Sequence, residues 1–113
     1  MNENDVAIAR KKIVQLAEET GISVADLVEL WSTETADQLR SAVDALAAGN
    51  LPEAARLVHG AAGATGMCGV AGLADQLKAI ELLAIAGRAA DAQQALERAR
   101  ARFERVSGVL AQS

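Results

Sequence analysis

The residues of this chain best suited to chemistry crowd into HGAAGATGMCGVAG, His59 to Gly72. That stretch holds the only histidine, the only cysteine and five glycines spaced three apart. An imidazole can serve as base, nucleophile or metal ligand, and a thiol as nucleophile or ligand. Nine residues turn a helix by about 900°, however, so Cys68 falls on the side opposite His59 and the two make no dyad. A metal centre needs partners, and the sequence offers no second histidine and no cysteine pair. Glu81, brought in from another helix, would add one carboxylate, too little for a hydrolytic or metal-dependent helical enzyme. What is left is an imidazole presented to a partner. A reference pKa of about 6.5 leaves the neutral ring well populated at pH 7. Such a ring can take a phosphoryl group in line and give it up again, needing mainly positioning and charge neutralisation. The partner would bring a metal ion and an acidic pocket.

Helical arithmetic sets out the surroundings of His59. With His59 at zero and about 100° per residue, Ala54, Leu57, Ala61, Ala64 and Cys68 lie within about 40° of the opposite side, which predicts the core stripe. Pro52, Ala55, Arg56, Ala62, Gly63 and Gly66 lie within about 60° of His59, which predicts a histidine near the middle of an outward face. Gly63 and Gly66 flank the imidazole, and only Arg56 and Met67 raise side chains near it. Small residues let a second backbone approach closely, so this surface suits docking of another protein. Gly69 is expected to end the helix, while Gly60 and Gly72 receive no role. A Walker loop would need GxxxxGK[ST] after a strand, collagen would need proline-rich triplets, and a membrane seam would need a long apolar span. None is present.

The elements that must position these residues read as helices. The composition is 51% hydrophobic, rich in Ala and Leu, with Trp31 and Phe103 the only aromatic residues. Strands favour the aromatic and β-branched residues that are scarce here. A chain of 113 residues is enough for one domain, residues 1–113, with a single core. A first helix is expected over about 4–19, ending near Gly21, and a second from the cap-like Ser23 to Gly49 and Asn50. Pro52 opens the third, with Glu53 in its first turn. After Gly69, Val70, Leu73, Leu77, Ile80 and Ala84 recur at helical spacing up to Gly87. Ala92, Leu96, Ala99, Phe103, Val106 and Leu110 form the seam of the last helix. The fold class is all-α: an antiparallel four-helix bundle over about 24–111 with an additional N-terminal helix.

The formal charge is −4 without long runs of one sign, and the arginines of the last helix alternate with acids. Without aromatic–basic interleaving this argues against nucleic-acid binding. No segment has the apolar length of a membrane span, and MNENDVAIARKK lacks a signal-peptide core. A single cysteine allows no internal disulfide, in keeping with a reducing, cytoplasmic setting.

The residues around His59 resemble the histidine-containing phosphotransfer (HPt) domains of two-component phosphorelays. That family's pattern is roughly H-x-L-K-G-[SA]-[SA]-x-x-x-G-x-x-x-L, with an apolar–Glu pair ending eight positions further on. HGAAGATGMCGVAGL followed by ADQLKAIE matches it in register at His59, Gly63, Gly69, Leu73 and Glu81. The likeness extends over about residues 24–111 and includes the approach AVDALAAGNLPEAARLVH. It implies that His59 accepts phosphate from a receiver-domain phospho-aspartate and passes it to another receiver. The chain would be a stoichiometric phosphocarrier rather than a turnover enzyme, with no cofactor of its own and Mg²⁺ on the partner. Response-regulator receiver domains and a hybrid histidine kinase are the implied partners, and a monomer is the simplest state. Gly63 would give the receiver room, and Gln38 and Ser41 of the neighbouring helix would complete the platform. Two positions depart from the pattern. Ala61 replaces the leucine, implying closer helix packing, and Ala62 replaces the lysine that lies near the phosphoryl group. Arg56, one turn before His59, is the expected substitute cation. The other reading is a non-phosphorylated helical module that binds receivers or other signalling partners.

Overall fold

The first three helices begin, and several helices end, where local chemistry satisfies free backbone groups. The computed structural model describes residues 2–112, which form α1 (Glu3–Thr20), α2 (Val24–Ala47), α3 (Leu51–Met67), α4 (Ala71–Ile85) and α5 (Ala89–Ala111), with no strand among the described residues. Asn2 and Asp5 make a reciprocal capping box at the start of α1, and the Ser23 hydroxyl accepts from the Asp26 amide at the start of α2. Asn50 caps α3 just ahead of Pro52 in its first turn.

The ends of α2, α3 and α4 repeat one device. Asn50 N–H donates to Ala45 at 2.8 Å, Val70 N–H to Thr65 at 3.2 Å and Arg88 N–H to Leu83 at 2.9 Å. In each case the preceding glycine has a left-handed backbone, at Gly49, Gly69 and Gly87. This is the Schellman closure, which occupies carbonyls the helix would otherwise leave unbonded. At Gly69 (φ +77°) a second constraint adds to the first, because a Cβ there would come within 3.1 Å of the Ala9 Cα. The α3–α4 turn thus lies tight against α1.

The helix α3 packs between α2 and α4, and α5 packs against both α4 and α2; α1 lies on α2 and α5. All six seam residues of α5, from Ala92 to Leu110, are buried, as are Leu73, Leu77, Ile80 and Ala84 of α4. The two aromatic rings meet in this core edge to face, with centroids 5.3 Å apart, and Trp31 Nε1 donates to Thr65 Oγ1 at 3.1 Å. No helix among the described residues is long and apolar enough to cross a membrane.

The face of α3 differs from the helical-wheel expectation. Ala54, Ala61 and Cys68 are buried, but Leu57 and Ala64 are only half-buried. Ala55 and Ala62, expected beside His59 on the outward face, are 8% and 2% exposed, and Val58 and Thr65 are buried too. The buried arc is therefore centred near Val58, rotated by about 80° from the expected stripe. The cause is that α3 is covered by two helices at once, so its alanines on the α4 side are buried as well as those facing α2.

Candidate functional site at His59

That rotation places His59 at the margin of α3 beside α4 rather than in the middle of an open face. Its Nδ1 lies 3.1 Å from the Glu81 carboxylate. Ile80, next to Glu81, is 1% exposed and anchors that turn of α4 in the core, so the carboxylate is held at the α3–α4 seam. The histidine side chain is 75% exposed and that of Glu81 only 21%. A carboxylate can only accept, so Nδ1 carries the hydrogen and donates it, and in the neutral ring Nε2 keeps its lone pair. The pairing thus fixes both the direction of the ring and its tautomer, and turns a nucleophilic nitrogen to the open side.

A shallow hollow beside the ring is lined by His59, Ala62, Gly63, Lys78, Glu81 and Leu82. A Cβ built on Gly63 would meet nothing within 4 Å, so the space over this turn is open to a partner. Leu82 and Ile85 are 65% and 66% exposed on the same side of α4. The other expected site residues take different places. Gly66 and Ser41 are exposed. Gln38 packs its amide against Gly60, where a Cβ would come within 3.0 Å of Nε2. Its Oε1 is buried without a hydrogen-bond partner. Gly60 and Gly72 acquire roles here, as the second lies under the Arg102 guanidinium, which donates to Gln76 at 3.2 Å.

Arg56 is turned to Glu53 rather than to the ring: its Nε donates to the carboxylate at 2.9 Å, and a second guanidinium nitrogen makes a further bond to it. The pairing holds the Glu53 carboxyl below the usual carboxylate range and raises the arginine further. Cys68 is buried on the far side of α3, and burial pushes its thiol up. The described residues hold no cluster of three or more His, Cys, Asp or Glu side chains that would bind a metal.

A family model described as Hpt domain matches residues 26–109, well over half of the chain and inclusive of every residue of the hollow. The chain belongs to the Hpt domain family. Hpt domains serve as phosphotransfer domains in two-component signalling, are phosphocarriers rather than enzymes, and interact with receiver domains and kinases. In this Hpt domain, α1 lies ahead of the matched span. Comparison with curated proteins gave no match, and comparison with solved structures gave none. Glu81 is the site residue that residue-by-residue reasoning undervalued. Its signal was present in the spacing of the family pattern, but a single carboxylate 22 positions from the histidine has no local pattern that marks it.

Proposed function

We propose that His59 is the phosphoryl-accepting residue of this Hpt domain, taking the group from a receiver-domain phospho-aspartate and relaying it to another receiver. The observation that carries this is the exposed imidazole held through Nδ1 by a mostly covered carboxylate, with Nε2 free beside an open hollow. In the transfer step the Nε2 lone pair attacks phosphorus in line, the phosphorus–oxygen bond to the aspartyl group breaks, and the carboxylate leaves. The ring becomes positively charged as the N–P bond forms, and Glu81 stabilises that charge through the Nδ1 hydrogen bond. Return to a second receiver is the reverse displacement. The docking platform consists of the exposed Gly63 and Gly66 on α3 with Ser41 on α2. Ala62 lines the hollow from a buried position, and Gln38 packs against Gly60 as support. The platform is carried on an antiparallel four-helix bundle to which α1 is added. The domain acts in the cytoplasm as a monomeric carrier without a cofactor of its own, and the receiver brings Mg²⁺.

The competing reading is a module that binds receivers without accepting phosphate, and the alanine at position 62 favours it. One experiment separates the two. Wild type and His59→Gln are incubated with phosphorylated receiver domains, and the chain is examined for an acid-labile, base-stable phosphoryl group. Phosphotransfer predicts label on wild type and none on the variant. Binding to a receiver with no label on wild type would overturn it.

A further inference from the structure

A phosphoryl dianion on Nε2 would enter a hollow that already contains the Glu81 carboxylate, so a cation must share the space. On α3 there is none: Ala62 is buried, and both hydrogen bonds of Arg56 go to Glu53. Lys78 of α4 is the cationic side chain among those lining the hollow, and it is exposed.

The register of the α3–α4 turn explains why it is there. The two helices double back on each other about Val70, with His59 and Glu81 each eleven residues from it and in hydrogen-bond contact. Ala62 and Lys78 are each eight residues from the same point, so they lie at one level across the seam. On α4, Lys78 falls about 60° from Glu81, the side that faces His59, and Leu82 lines the same hollow. The four ion pairs among the described residues leave Lys78 out, so its ammonium is not committed to an acid.

We infer that Lys78 supplies from α4 the phosphate-neutralising charge that α3 lacks at Ala62, as a positioning and charge-stabilising residue for the phosphoryl group on His59. This rests on the phosphotransfer reading above. A lysine suits the task as a compact point charge on a long, flexible stem that can follow the group as it arrives and leaves. No proton or electron changes hands: the ammonium pairs with phosphoryl oxygens and releases them when the group moves on.

The test uses the full chain and a phosphorylated receiver domain with Mg²⁺, comparing wild type, Lys78→Ala, Lys78→Arg and Arg56→Ala. Transfer rate and the half-life of the phosphorylated chain after receiver removal are both read. Lys78→Ala is expected to slow transfer by about tenfold and shorten the half-life, as loss of a charge-assisted contact to phosphate should. Lys78→Arg should restore most of both, and Arg56→Ala should lose less than Lys78→Ala. Restoration by arginine is a result that a purely structural role for an exposed side chain would not give. If wild type is labelled and Lys78→Ala matches it in rate and half-life, the role of Lys78 is wrong and phosphotransfer stands. Losses from Arg56→Ala as large as those from Lys78→Ala would also overturn it. A wild type that takes no label overturns the phosphotransfer reading itself.

Discussion

Replacing Gly63 separates what helix α3 wants from what a docking partner wants. Gly63 lies in the interior of α3, its φ is not positive, and a Cβ there would meet nothing within 4 Å. Glycine costs a helix interior about 1 kcal/mol relative to alanine, and the open surroundings leave that difference uncompensated. Gly63→Ala should therefore stabilise the fold by about 0.5–1 kcal/mol, a rise in Tm of about 2–4 °C for a domain of this size. Gly63→Gln, also a good helix former, should keep most of that gain. In the transfer assay the two variants should go the other way. The new atoms stand in the hollow beside His59, and with the longer side chain transfer from a phosphorylated receiver should fall by about tenfold as close approach is lost. Gly108 on α5 supplies the matched control, since a Cβ there also meets open space but far from the hollow. Gly108→Ala should give a smaller gain because it lies in the last turn, with transfer unchanged. Transfer by Gly63→Gln at the wild-type rate would refute the need for clearance. Melting of Gly63→Ala below wild type would refute the expected helix gain.

Other outcomes follow from single contacts. Glu81→Ala should slow label uptake by His59 and shift its imidazole nitrogen-15 resonances toward a mixture of tautomers; unchanged resonances would mean the hydrogen bond does not set the ring. Gly69→Ala should cost more than Gly87→Ala, which bears the left-handed backbone penalty of about 1–2 kcal/mol alone. The alanine at 69 also meets Ala9 and Lys12 of α1, and equal losses in chemical denaturation would remove the claim that α1 is packed there. Burial raises the Cys68 thiol, so the folded chain keeps it protonated where the unfolded chain ionises it. That contribution is present below the ordinary thiol value of about 8.5 and is lost as pH rises through the folded one. Thermal melts of wild type should therefore fall between pH 8 and 10 by more than those of Cys68→Ala; parallel curves would refute this.

Helix ends and the α5 seam were legible in the chain because they depend on neighbours a few residues away. A glycine at position 49, 69 or 87 can take the left-handed turn that closes a Schellman motif wherever the helix lies in space. The seam from Ala92 to Leu110 carries apolar side chains on one side and charged ones on the other, so its buried face is written in its pattern. His59 was legible for a similar reason, as an imidazole with no local partner amid residues too small to cover it. The orientation of α3 was not. Its alanines and glycines together stand on nearly every side, so a helical wheel finds small residues all round and cannot say which ones a neighbour covers. Only the packing of α2 and α4 on two flanks decided that Ala55 and Ala62 are buried and that His59 stands at the α4 margin. Whereas the Arg56–Glu53 pair is local to one turn of α3, the same packing set Glu81 and Lys78 beside the imidazole. Those pairings depend on the level at which two helices meet across a turn, a distance in space that residue types alone do not encode.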